Sequence, residues 1–196
     1  MASLPKIVHI VYSGAGGQAG VCFPLAHAAR HDSVHCIAFY GVEPVADSNV
    51  RRCHEMGLTW RAWQKRRGLS LAAQREMADW IASLAPDAVI AHSPAVLYAC
   101  RRARKKLPCL RIIAVEHHCN ALKSLRQWIL SAAILRRADR VVYLTEDYRD
   151  EVKRKLGPLF RRGNTSVIPN GLDLTAYQPA RPAGAEFTVG MQGRMV

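Results

Sequence analysis

The 196-residue chain is 49% hydrophobic and carries 28 Lys and Arg against 15 Asp and Glu, a formal net charge of +13. That length suits one good core, or one domain plus a fragment of another, and the basic excess points to an anionic partner such as a phosphate-bearing ligand, acidic lipid or nucleic acid. No segment reaches the about 18 consecutive apolar residues of a membrane span, and Met1 leads straight into the strand-like KIVHIVY, so neither secretion nor a transmembrane helix is expected.

Short apolar runs, several rich in Val and Ile, fall at about residues 6–12, 34–39, 58–62, 87–91, 111–116, 140–144 and 165–168. Between them lie helical patterns. One begins at Ser70 and places Leu71, Ala78, Ile81 and Ala85 on a face fit to pack on a sheet, ending before Pro86-Asp87. The next has Ser93 as N-cap and Pro94 at its first position, and stops before Pro108. Another has Thr145 ahead of Glu146 and Asp147 and is closed by Gly157-Pro158. Near-continuous apolar strands alternating with helices give an α/β fold, a doubly wound and mostly parallel sheet of about seven strands covered on both faces. The six cysteines stand singly in apolar or helical stretches with no C-x-x-C pair, as reduced thiols of a cytosolic protein do.

In such a sheet ligands lie beyond the carboxyl ends of the strands. SGAGGQAG, Ser13 to Gly20, follows the first strand and precedes a helix, where glycines let backbone N–H groups approach a phosphate. It also fits G-x-G-x-x-A from Gly14 to Ala19, the dinucleotide fingerprint. The acid that fingerprint wants at the end of the second strand is misplaced: Glu43 comes late and Asp32 early. A turn that only permits tight strand-helix packing is the plain alternative. AVEHHCN after the fifth strand brings Glu116, His117, His118 and Cys119 to the same edge. Imidazoles there can donate to a sugar hydroxyl or phosphate, or stabilise developing charge. As metal ligands the adjacent His117, His118 and Cys119 diverge, with no fourth ligand at a familiar spacing. Beyond SVIPNGLDLTAYQP, the Pro-, Ala- and Gly-rich stretch to Glu186 has linker composition, and FTVGMQGRMV resembles the first strand of a second domain.

Taken together, Gly16-Gly17 and Gly20 after the first strand, VEH at Val115 to His117, the VIPNG-D signature at Val167 to Asp173 and Gly193-Arg194 resemble the N-terminal half of a GT-B glycosyltransferase of family 4. The resemblance covers essentially the whole chain. It implies a retaining transfer from a nucleotide-sugar to an acceptor, a glycan or lipid-linked precursor, between two Rossmann-like domains, with no metal required. Residues 1–179 would be the acceptor-side domain, and 180–196 the linker and first strand of a C-terminal donor domain missing from this chain. Gly16 and Gly17 would approach donor phosphates or acceptor, and His117 the transferred sugar. Arg194 would help neutralise the donor diphosphate. The family's partnering lysine, and its two glutamates eight positions apart, lie beyond the chain's end, so the chain alone is expected to be inactive.

The basic residues admit two readings. RRARKK at Arg101 to Lys106 sits at a helix C-terminus, where cations complement the dipole. Lys123, Arg126, Arg136 and Arg137 surround the apolar residues of LKSLRQWILSAAILRR, and a basic amphipathic helix with Trp can rest on anionic lipid. That makes these four a candidate membrane patch for a protein peripheral on the cytoplasmic face. Nucleic acid is not expected, because few aromatics interleave with the basic runs and no reading motif is present. The alternatives to a transferase are a non-catalytic module docking on a membrane or partner, and a nicotinamide-dependent oxidoreductase.

Overall fold

The computed structural model describes residues 3–171 except His118. Within them a seven-stranded, all-parallel sheet alternates with six helices. The elements are β1 (Lys6–Val11), α1 (Gly17–Ala28), β2 (Val34–Gly41), α2 (Asp47–Glu55), β3 (Thr59–Gln64), α3 (Leu71–Leu84) and β4 (Ala88–Ala91). They continue with α4 (Leu97–Lys106), β5 (Arg111–Glu116), α5 (Leu125–Arg137), β6 (Arg140–Tyr143), α6 (Glu146–Leu156) and β7 (Thr165–Val167). The strand order is β3-β2-β1-β4-β5-β6-β7. The chain winds outward one way from β1 and then the other way from β4, as expected of a doubly wound sheet.

Burial explains which strands sit where. β2 is buried at seven of its eight positions, as a strand covered on both faces must be, whereas the edge strand β3 buries only Trp63. Side chains alternate across the sheet. Val8 and Ile10 of β1 and Cys36 and Ala38 of β2 pack with α3 and α4, while Val11, Ile37 and Phe39 pack with α1 and α2. Ser93 caps as predicted, and Ser70 and Thr145, where helices are expected to begin, are N-caps too: the three side chains accept from Ala95 N, Ala73 N and Tyr148 N. Ser93 caps a single 3-10 turn, Pro94–Val96, and the α-helix proper starts one turn later at Leu97.

The buried face of α3 matches the expected one at Ala78 and Ile81 and departs from it elsewhere. It consists of Ala73, Gln74, Met77, Ala78 and Ile81; Leu71 is exposed, and Ala85 is the left-handed C-cap. Gln74 is inside because its amide is fully employed, donating to Ala95 O at 2.9 Å and accepting from Ala99 N at 3.1 Å. It thereby pins α3 to the start of α4. Leu71 opens the helix before that face meets the sheet.

Candidate functional site

The carboxyl ends of β1 and β4 meet where the strand order reverses, and a cleft of about 430 Å3 lies there, lined by Gly14, Gly16, Gly17, Gly41, Lys65 and Ser93 among others. Its floor is the turn between β1 and α1. Tyr12 N–H donates to Gln18 Oε1 at 2.9 Å, and Ser13 Oγ–H donates to the Glu43 carbonyl at 2.7 Å. These two bonds fold the loop back on its own helix and onto the end of β2.

The glycines lining the cleft do different things. A Cβ on Gly41 would stand 2.1 Å from Ser13 Oγ and 2.8 Å from the Tyr12 ring, so close packing requires that glycine. Around Gly16 and Gly17, among the described residues, no atom beyond the adjoining backbone and chain neighbours lies within 4 Å of where a Cβ would be. Internal packing therefore does not demand them. They leave a bare approach to the first turn of α1, which has no side-chain cap and no acidic residue. Glu43, late by sequence spacing, is nonetheless brought to the loop: its carboxylate lies where a Gly14 side chain would point.

His117 immediately follows β5, half-buried and on the same carboxyl edge as Gly16 and Gly17. It does not line the cleft directly. Its Nε2 lies 3.0 Å from Nδ1 of His92, whose chain neighbour Ser93 is in the cleft wall. His92 in turn lies 3.3 Å from His9, and His9 lies 3.0 Å from His35, whose Nε2 is 2.8 Å from Ser33 Oγ. Four imidazoles thus form one hydrogen-bonded array.

Burial holds His9 down at about 3, with the neighbouring His35 contributing, and holds His92 well below its ordinary value and His35 below its own. These rings are neutral at neutral pH. Sequence patterns gave no sign of the array. His9 and His35 looked like ordinary strand positions, and only the strand pairing brings them into line.

The ligand atoms of His9, Cys22 and His92 lie within 4.8 Å of one another, the one such group found among the described residues. It is not the His117, His118 and Cys119 set weighed from the sequence. Burial keeps the Cys22 thiol protonated by raising its pKa far above the ordinary value.

Beneath the same loop, Glu116 and Lys123 form an ion pair with Nζ 2.6 Å from Oε2, and Ser131 Oγ bridges to both. Lys123 Nζ also lies 5.0 Å from the Trp128 ring centroid and 5.3 Å from that of Tyr148. This corrects one sequence expectation. Lys123 is inside the protein and cannot face lipid, whereas Arg126, Arg136 and Arg137 are exposed as expected. Beside them Leu122, Leu125 and Ile129 are exposed at 83%, 77% and 60%. Among the described residues no helix is long and apolar enough to cross a membrane. Arg194, His118 and the expected linker and second-domain strand at 180–196 lie outside the described residues.

The model of the family described as Glycosyltransferase Family 4 matches residues 7–176. The chain belongs to that family. Solved structures agree at the level of fold. The Anabaena protein Alr3699/HepE, solved in complex with UDP and glucose, superposes with a TM-score of 0.69 at 16% identity over 90% of this chain and 47% of its own. The lipopolysaccharide outer core galactosyltransferase WaaB in its apo form gives 0.65 at 17% identity, covering 86% and 46%. A UDP-N-acetylglucosamine 2-epimerase gives 0.62 at 12% identity, covering 86% and 49%. This family 4 chain therefore spans about half the length of these proteins and has the fold of a GT-B N-terminal domain. No curated protein matches it in sequence. Because an epimerase shares the fold, the fold alone does not fix the reaction.

Proposed function

We propose that this chain is the acceptor-side half of a retaining glycosyltransferase that moves a sugar from a nucleotide-sugar to a glycan or lipid-linked acceptor. The observation that carries this reading is the cleft at the β1/β4 switch point, lined by bare glycines at a helix N-terminus, with an array ending in His117 on the same carboxyl edge of the sheet. The UDP and glucose bound by the Anabaena structure support a nucleotide-sugar donor. In this reading backbone N–H groups at Gly16 and Gly17 bind an anionic group of donor or acceptor, and His117 contacts the transferred sugar. Arg194 and a second domain meet the charge that develops on the departing diphosphate, without a metal. The first half alone is then inactive.

The test is glycosyl transfer by residues 1–196 alone, and by the same residues joined to a family 4 C-terminal domain, with UDP-glucose as first donor. Turnover only in the joined protein, abolished by His117→Ala, is expected. Transfer by the short chain at the same rate overturns the two-domain part of the reading, and an unimpaired His117→Ala protein removes His117 from the site.

A second reading is a non-catalytic module that docks on a membrane surface or a partner. The exposed Leu122, Leu125 and Ile129 beside Arg126, Arg136 and Arg137 favour it, and they equally suit a transferase held at the cytoplasmic face of a membrane near a lipid-linked acceptor.

A further inference from the structure

The four histidines climb the sheet diagonally. His9 pairs with Ile37, so His35 sits two residues nearer the amino edge on the next strand. His9 also pairs with Ile90, so His92 sits two residues nearer the carboxyl edge. Ile90 pairs with Ile113, which places His117 two residues further still. Each step of one strand and two residues keeps the side chain on the same face and moves it toward the cleft. The ring centroids are 5.2, 5.6 and 5.2 Å apart along His35, His9, His92 and His117, with interplanar angles of 29°, 26° and 23°. With nitrogens of adjacent rings 3.0 to 3.3 Å apart, the rings are set end to end in nearly one plane rather than face to face.

A neutral imidazole has one N–H and one lone pair. A row of neutral rings linked nitrogen to nitrogen therefore has two consistent states, with every N–H directed toward Ser33 or every one toward His117. At the Ser33 end, the hydroxyl lies 3.2 Å from the Ala29 carbonyl, which also accepts the backbone N–H groups of Asp32 and Ser33. A serine that bonds back to the carbonyl four residues earlier uses its only proton there. Its Oγ is then an acceptor for His35 Nε2–H.

We propose that His35, His9 and His92 are positioning residues that hold His117 in one neutral tautomer, protonated on Nε2 and unprotonated on Nδ1. The proton pattern follows link by link: His117 Nε2–H donates to His92 Nδ1, His92 Nε2–H to His9 Nδ1, and His9 Nε2–H to His35 Nδ1. His117 thus acts toward a sugar or acceptor hydroxyl as a hydrogen-bond acceptor through Nδ1, a role that rests on the transferase reading above. The array orders and does not conduct. With His9 held at about 3, a protonated His9 is present in only about one molecule in ten thousand at pH 7, so it is a barrier to a travelling proton.

Nitrogen-15 NMR of the histidine-labelled chain at pH 7 reads each ring's tautomer directly, with no substrate and no transfer assay. The Nε2–H form is expected for all four rings, and His92→Gln is expected to turn His117 into a mixture of tautomers while the rest of the backbone spectrum stays folded. Should His92→Gln fail to fold, Ser33→Ala serves in its place, because it removes the anchor from the far end and is expected to loosen the same preference at His117. A mixture or the Nδ1–H form at His117 in the wild-type chain overturns the proposal. So does stoichiometric zinc in the purified chain with the His9 and His92 signals shifted, which would mean that His9, Cys22 and His92 hold an ion. A fixed His117 tautomer combined with an unimpaired His117→Ala transferase would leave the array standing and remove His117 from the transfer site instead.

Discussion

Lys123 and Glu116 form an ion pair in which both side chains are only 1% exposed. Glu116 is the last residue of β5, one position before His117, so the pair anchors the start of the loop that carries His117. Two desolvated charges are held at a cost that their mutual attraction and the Ser131 bonds offset, and removing one partner leaves the other stranded. Lys123→Ala is therefore expected to cost about 3–5 kcal/mol. Lys123→Met combined with Glu116→Gln is expected to restore much of that. Urea unfolding of the three proteins measures both, and a Lys123→Ala midpoint equal to wild type would show that the pair is not desolvated.

Acid should destabilise the fold through the histidine array. In the unfolded chain His9 and His92 titrate near 6.5, but in the fold burial holds His9 at about 3 and His92 well below its ordinary value. Below about pH 6.5 the unfolded state binds protons that the folded state refuses, so stability present at neutral pH is lost as pH falls toward the folded values. At pH 5 the His9 ring is expected to cost ~2 kcal/mol relative to pH 7, and His92 adds to the loss in the same direction. In His9→Gln the difference between urea midpoints at pH 7 and pH 5 should shrink by about one ring's share. An undiminished difference would place the acid sensitivity elsewhere.

The basic surface should bind anionic vesicles through Arg126, Arg136 and Arg137, with Leu122, Leu125 and Ile129 entering the interface. Each arginine is expected to contribute about 1 kcal/mol, lost as salt rises. Lys123, being internal, should contribute nothing. Sedimentation with phosphatidylserine vesicles of Arg126→Glu/Arg136→Glu is the check, and unchanged binding would leave these arginines as ordinary solvated charges.

Much of the fold was legible because local signals agreed with it. The caps at Ser70, Ser93 and Thr145 and the apolar runs between them placed most elements within a residue or two, and alternating strands and helices left a parallel sheet as the consistent arrangement. The misses share a cause. Lys123 looked like one more cation on a basic helix, because nothing local says that Glu116 seven residues earlier will be turned inward beneath it. His9, His35 and His92 lie far apart in sequence and become neighbours only through strand register, which single-sequence periodicity does not supply. The glycine loop was found, yet the sequence could not tell that packing leaves Gly16 and Gly17 free while it requires Gly41 at the end of β2.

That last distinction gives the sharpest test of the cleft. Gly41→Ala puts a methyl against Ser13 Oγ and the Tyr12 ring, and is expected to destabilise by about 1–3 kcal/mol through overpacking. Gly17 opens α1 in a helical conformation, with nothing described within 4 Å of an added Cβ. Gly17→Ala should therefore leave stability unchanged or raise it by up to about 1 kcal/mol, since alanine is the better helix former. Gly16 has φ 177, extended backbone open to any residue, so Gly16→Ala should be similarly mild. If the bare turn exists to admit an anion to the helix N-terminus, both mild variants should weaken ligand binding or transfer despite folding as well as wild type. Thermal unfolding paired with transfer by the joined two-domain protein separates the two effects. Gly16→Ala and Gly17→Ala proteins with full activity would mean that the loop approaches no ligand, and the cleft would lose its phosphate-binding wall.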